Sequence, residues 1–205
     1  FVTVDARGVE TAKRFDSKLV FERPNKILFV WFTFTLTCDG RRCQVYYPSH
    51  QQYTDRPAPA RIDMAFLKDA AMNEFLPIVL GALVNRRPYE SLVASIEGLT
   101  DEGVVEKEGR KLHRIAYLEG PARWDLLIDT ETLLFKRITV SPRKVKNNRW
   151  EIRIDYSKVS VNEPVPEGAF KITPPTGARK VERISLTRQL DYARLGQAFP
   201  DTALT

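Results

Sequence analysis

The chain has 205 residues, 43% of them apolar and 28% charged, which fits a folded protein with one sizeable core and excludes a disordered chain. No apolar run approaches the roughly 18 residues a membrane helix needs, because the longest candidate, 75–84, is broken by Pro77 and Gly81; no membrane span is expected. The net charge of +6 is spread through stretches such as "DEGVVEKEGRKLHR", where basic and acidic residues alternate, and no stacking-aromatic motif accompanies it, so nucleic-acid binding is not expected.

From Val2 to Tyr53 the sequence is strand-like: "VTVDARG", "KLVFER", "KILFVWFTFTLT" and "CQVYYP", separated by Gly, Pro-Asn and Asp-Gly signals that predict an antiparallel meander. The third segment is unusual. Read as one strand, it projects Leu28, Val30, Phe32, Phe34 and Leu36 to one side and Ile27, Phe29 and Trp31 to the other. A sheet in water normally keeps one wet face, so doubled apolarity calls for cover on both sides or for a face reserved for a guest. The first set reads most simply as packed core, with the lining of a ligand cavity as the alternative. Cys38 and Cys43 flank "DGRR". A four-residue loop sets them face to face, where a disulfide is possible, whereas a two-residue loop makes them diagonal neighbours. A C-x4-C pair without further Cys or clustered His does not read as zinc, nor does it have redoxin spacing.

"DRPAPAR" breaks the strand pattern, and residues 62–84 read as helical. Ile62, Phe66, Leu67 and Ala70 form one stripe; Phe75, Val79, Leu80 and Leu83 form another beyond the division at Pro77. A further short helix is predicted at "PYESLVAS", with Pro88 in its first turn. After "EGLTDEG" strands resume in "VVEKEG", "KLHRIAYLEG", "RWDLLIDT", "LLFKRITVSP" and "RWEIRIDYSKVSVN", with turns at "EGR", "EGPA" and "DTET". Trp124, Leu126 and Ile128 share one face, as do Trp150, Ile152, Ile154 and Tyr156. The order is meander, helices, meander.

No catalytic constellation emerges. The two histidines, His50 by a turn and His113 in a strand, suit surface or rim positions. Asp125 and Asp129 are four residues apart in a strand, too far to share a proton, and read as exposed strand and turn residues. Ser91, Ser95 and Ser185 have no G-x-S-x-G context, and phosphate loops, dinucleotide glycines and H-E-x-x-H are missing from the sequence. No enzymatic activity, cofactor or metal is expected of this chain.

Three stretches resemble the LolA/LolB-like superfamily of bacterial envelope lipoprotein carriers. They are "LVFERPNKILFVW" with Arg23, Pro24 and Asn25; "CDGRRCQVYYPSHQQY" with Asp39, Gly40, Tyr46, Tyr47, Pro48 and Tyr53; and "GAFKITPPTGARKVE" with Phe170, Pro174, Pro175, Gly177 and Ala178. The resemblance covers about Lys18 to Glu182. It implies a mainly β, α+β fold: a curved antiparallel half-barrel sheet whose concave face is covered by short helices. It further implies an apolar ligand, a lipid or lipoprotein acyl chain, held among Leu19, Phe21, Leu28, Val30, Phe32, Phe34, Leu36, Phe66, Leu80, Trp124, Leu126, Trp150 and Ile152. Ile27, Phe29 and Trp31 would then lie under another covering segment or at an edge. The arginine of the Arg-Pro-Asn motif, matched by Arg23, would hold the helical lid closed until an acyl chain arrives, through a lid partner the helices here do not identify.

The tail "RLGQAFPDTALT" resembles the start of a TlpA/peroxiredoxin-type thioredoxin-like domain through Leu195, Gly196, Pro200, Asp201 and Leu204, with Phe199 and Thr202 departing from that pattern. The expected organisation is therefore a LolA-like domain over 1–184 and a linker with the beginning of a second domain over 185–205. The expected location is the periplasm or cell envelope, reached with a signal peptide or anchor since removed. The expected function is non-catalytic apolar-ligand binding. Its rival is an interaction or sensor module, with no cavity of its own, tethered to a C-terminal thioredoxin-like oxidoreductase; other envelope proteins are further candidate partners.

Overall fold

The computed structural model describes residues 2–4, 10–70, 78–87, 90, 96–143 and 149–184. In chain order the strands are β1 (Val2–Val4), β2 (Glu10–Ala12), β3 (Lys18–Glu22), β4 (Lys26–Val30), β5 (Thr35–Asp39), β6 (Arg42–Tyr47) and β7 (Gln52–Pro57). Two helices follow, α1 (Met64–Ala70) and α2 (Ile78–Val84). Then come β8 (Glu97–Lys107), β9 (Arg110–Glu119), β10 (Ala122–Asp129), β11 (Phe135–Pro142), β12 (Arg149–Asp155) and β13 (Arg179–Lys180). The described chain is mainly β and divides into two compact units, Phe1–Arg14 with Tyr89–Glu163, and Phe15–Pro88 with Pro164–Thr205.

Each unit holds one open sheet, where a single bent sheet was expected. The first unit has seven strands in the order β2-β1-β12-β11-β10-β9-β8, all antiparallel. The N-terminal hairpin thus pairs with β12 rather than joining the early meander, a long-range choice that no local signal encodes. The meander β8–β12 follows the alternation in the sequence. Tyr117, Trp124, Leu126, Ile138 and Val140 lie on one face and are buried, and the Tyr117 and Trp124 rings stack at 5.8 Å. "EGLTDEG", which reads as a break, is strand: β8 runs through it with two register shifts, as bulges allow an irregular edge strand to do.

The second unit's sheet runs β13-β7-β6-β5-β4-β3, antiparallel except for the parallel β13–β7 pair. Here the expected long strand "KILFVWFTFTLT" is a hairpin. β4 and β5 are joined through Trp31, Phe32, Thr33 and Phe34, closed by a hydrogen bond from Trp31 N–H to the Phe34 carbonyl at 2.8 Å. The apolar run carries no Gly, Pro, Asn or Asp to mark this reversal. Ring packing stabilises it instead: Phe29 lies against Trp31 at 5.4 Å and edge-on to Phe34 at 5.6 Å.

The reversal re-sorts the faces. Phe29 pairs with Leu36 and Ile27 with Cys38, so Leu36 shares a face with Ile27 and Phe29, whereas Leu28 and Val30 point the other way. Through the neighbouring strands the first face gains Leu19, Phe21, Val45, Tyr47 and Arg56. Of these Ile27, Phe29, Leu36, Val45 and Tyr47 are at most 2% exposed, and each such burial is worth about 1.5–3 kcal/mol. The opposite face, with Leu28, Thr35, Thr37 and Tyr46, is also buried. The C-terminal segment lies along it: Phe170 under the Lys26 ammonium at 5.9 Å, and Lys180 on Asp55 at 3.2 Å. The doubled apolarity of residues 27–36 therefore reflects two strands, each contributing to two covered faces.

Candidate functional site

The face bearing Ile27, Phe29, Leu36, Val45 and Tyr47 also bears Arg56, through which it meets α1. Asp63 starts α1, its Oδ1 accepting the Phe66 N–H at 2.8 Å as an N-cap carboxylate does. Arg56 lies beside Cys43 and binds α1: its guanidinium lies over the Phe66 ring at 4.9 Å and pairs with Asp69 at 2.6 Å. Ile62, Leu67 and Ala70 on the α1 side, and Leu80 and Val84 on α2, are buried, while Phe66 is half-buried.

Two arginines hold the C-terminal end of α2. Arg23 donates from Nη2 to the Leu83 carbonyl at 3.1 Å, and Arg61 donates from Nη2 to the Val84 carbonyl at 2.7 Å. Both acceptors are last-turn carbonyls of α2, which have no partner within the helix and carry the negative end of its dipole; a guanidinium there satisfies both demands. Asn25, two residues beyond Arg23, bridges the neighbouring loops by donating from Nδ2 to the carbonyls of Pro59 at 3.0 Å and Gly40 at 3.3 Å. The Arg-Pro-Asn motif thus fastens the strand turn to the helices with its first residue and to two loops with its last. Arg61 carried no signal in the sequence; only the path of the chain brings it to α2.

Cys38 and Cys43 face each other in the ladder, with Cα atoms 4.1 Å apart, and are disulfide-bonded on this same face, both wholly buried. The turn falls on Gly40–Arg41 rather than Asp39–Gly40, which makes the pair direct with only a two-residue loop. Asp39 fixes that choice by accepting the Arg41 and Arg42 N–H groups at 2.8 Å each, and these bonds hold its carboxyl below the usual range. Gly40 has φ +92° and lies against Asn25, so a side chain there meets both a strained backbone and the Asn25 amide.

The predicted ligand-lining residues are distributed as follows. Leu19 and Phe21 share the face of Leu36, half-buried, and Phe34 joins them, buried against Phe29 and Tyr47. Leu28 and Val30 lie on the opposite face, so the five residues read as one set from Leu28 to Leu36 do not share a side. Phe32 sits at the hairpin turn and is 36% exposed. Phe66 and Leu80 belong to the covering helices. Trp124, Leu126, Trp150 and Ile152 lie in the other unit's sheet, on its apolar face. Ile27, Phe29, Val45 and Tyr47 form the centre of the covered face, a role that the one-strand reading gave to the opposite alternation. Phe75 and Pro77, the helix predicted at 88–95 apart from Glu90, and the tail 185–205 lie outside the described residues.

The wet face of the first unit's sheet is charged and carries a depression of about 480 Å³ lined by residues that include Arg114, Asp125, Arg137 and Arg153. Several of its charges are paired. Arg114 and Arg123 each bind both Glu102 and Asp125, at 2.7–3.1 Å, Arg137 pairs with Asp155, and Arg153 with Glu151. Burial raises the Asp125 carboxyl, but the bonds from Arg123 and Arg114 outweigh it and hold the group below its ordinary value. Hydrogen bonds to Asp125 and Glu102 push Arg123 the other way. Asp129, expected to be exposed, is only 4% accessible. It organises the following turn, Oδ1 accepting the N–H of Glu131 and Thr132 and the Thr132 hydroxyl, and Arg110 approaches Oδ2 at 3.3 Å. Led by the Thr132 N–H bond, these contacts lower its pKa to about 2. Both aspartates are structural. Among the described residues no three His, Cys, Asp or Glu side chains cluster as a metal site, and no helix is long and apolar enough to cross a membrane.

Fold and site together define a mainly β protein of two open sheets, with short helices in one unit, the second of them bound by two arginines. The family described as "Predicted periplasmic protein (DUF2092)" matches residues 17–183, from just before β3 to just after β13, and the chain belongs to this family. Among curated proteins, none matches the chain.

Proposed function

We propose that the chain is a non-catalytic periplasmic or envelope domain that binds an apolar ligand, a lipid or a lipoprotein acyl chain, on the sheet face beneath α1 and α2. The family description supports the location, and the resemblance to lipoprotein carriers supports the ligand class and a half-barrel form for the ligand-holding sheet. The single observation that carries the reading is the fastening of α2 by Arg23 and Arg61 at one end, above a face that is apolar throughout its centre. Helices of seven residues have little stability of their own and persist through packing and such tethers. Each methylene that an acyl chain buries contributes about 0.8 kcal/mol. A few of them offset the two tethers, at about 2 kcal/mol together, while the rest of the chain replaces the side chains that the helices withdraw. In this reading Arg23 is the gate, shared with Arg61.

Native mass spectrometry of the chain incubated with palmitic acid tests the proposal. One retained ligand per chain, taken up faster by the Arg23→Ala/Arg61→Ala variant, is the expected result. A chain that retains none, in either form, overturns it.

A further inference from the structure

A row of rings crosses the covered face of the second unit: Phe32 against Trp31 at 5.2 Å, Trp31 against Phe29 at 5.4 Å, Phe29 against Phe34 and Phe34 against Tyr47 at 5.6 Å each. It ends on His50, whose imidazole meets the Tyr47 ring at 6.4 Å in an edge-on arrangement. The row begins at the surface, where Phe32 is 36% exposed, and passes through Phe34 and Tyr47, which are fully buried.

His50 differs from the other rings in having chemistry left over. It closes the short turn Pro48–His50, and its Nδ1 is engaged by the Ser49 hydroxyl at 2.8 Å. Its Nε2 is buried and has no hydrogen-bond partner among the described residues. In the tautomer in which the Ser49 O–H donates to Nδ1, Nε2 carries the proton and is a donor without an acceptor; in the other tautomer Nε2 is an acceptor without a donor. A buried polar atom in that condition is costly and is a place where a ligand group finds its partner preorganised.

We propose that His50 adopts the Nε2–H tautomer and donates from it to the carbonyl oxygen at the head of a bound acyl chain whose hydrocarbon lies along the ring row. This rests on the acyl-binding reading above and adds to it a residue that selects the head group and a direction for the chain: head at the Tyr47–His50 end, tail towards Trp31 and Phe32. The rings supply affinity without chemical discrimination, and the imidazole supplies discrimination.

The test compares three probes on the full chain: dodecanoic acid, methyl dodecanoate, and N-phenyl-1-naphthylamine, an apolar dye with no carbonyl. The expected result for His50→Phe is affinity roughly fivefold lower for the two acyl probes, the loss of one hydrogen bond, with dye affinity unchanged. His50→Gln, whose amide still donates, recovers most of that loss, and His50→Leu, which cannot donate, serves as the measured variant if His50→Phe does not fold by circular dichroism. Loss for both acyl probes assigns the acyl carbonyl as the group read; loss for the acid alone assigns a free carboxyl. Equal loss for all three probes, or for none, overturns the role of His50 while leaving acyl binding in place. A wild-type chain that binds none of the three overturns both.

Discussion

Replacing Arg23 and Arg61 together by alanine removes the two cations that hold the C-terminal turn of α2. The Arg61 bond to the Val84 carbonyl is short and half-buried, so its loss is worth about 1.5 kcal/mol, in the range for bonds to charged groups. The Arg23 bond to the Leu83 carbonyl is longer and exposed to solvent, and screening reduces it to about 0.5 kcal/mol. The acceptors are adjacent carbonyls, so the effects couple and the sum, about 2 kcal/mol, is an upper bound. That sum corresponds to a roughly 30-fold rise in the population with α2 detached, since about 1.4 kcal/mol is a factor of ten. Hydrogen exchange read by mass spectrometry is the assay, because local opening free energies appear directly as lost protection. Peptides covering 62–70 and 78–87 lose about 10- to 30-fold of protection in the double variant, about 10-fold in Arg61→Ala and about 2-fold in Arg23→Ala, while β4–β6 peptides keep theirs. A change below about threefold in the double variant, or an equal loss across the strands, refutes the reasoning that these arginines fasten a separable cover.

Three further outcomes follow from the same physical reading. Cys38→Ala with Cys43→Ala removes a cross-link closing a very short loop, so chain entropy predicts a loss of about 2 kcal/mol, measured as a lower urea midpoint; an unchanged midpoint contradicts it. Asp129 has its carboxyl depressed from 3.8 to about 2 in the folded state. Its contribution is therefore complete above pH 3.8 and lost as pH falls through about 2. Asp129→Asn flattens the dependence of urea midpoint on pH across that window, and equal slopes in the two proteins count against the turn bonds as its cause. Leu133 has φ +58° and is 71% exposed, so Leu133→Gly relieves backbone strain at no cost in packing and is neutral or stabilising by up to about 1 kcal/mol in thermal unfolding; a clear destabilisation speaks against strain there.

Much of the fold was legible locally. In the second meander, apolar and polar residues alternate, and Gly-bearing turns separate β8 from β9 and β9 from β10, so both strand positions and the apolar face could be read. The hairpin within residues 26–39 could not be read: a run that is apolar at every position from 27 to 32 has the same pattern whether it continues or folds back, and a turn closed by ring packing carries no turn residue. Asp129 was misplaced for a related reason, since a charged residue at a strand end reads as exposed until the turn that wraps its carboxylate is seen. The site was legible in part. The motif pointed to Arg23, but its acceptor is 60 residues away, and Arg61 and the ring row ending at His50 depend on where distant segments meet.

By itself, then, the sequence determined that this is a mainly β chain with a short helical interlude, an Arg-Pro-Asn turn and a pair of cysteines on one hairpin, because those properties follow from side-chain period and turn chemistry within a few residues. Only the tertiary structure decided which alternate residues form the covered face, which carbonyls the arginines hold, and that β1 pairs with β12, because face, acceptor and pairing partner are set by long-range register and packing, in which a shift of one residue exchanges one side of a strand for the other.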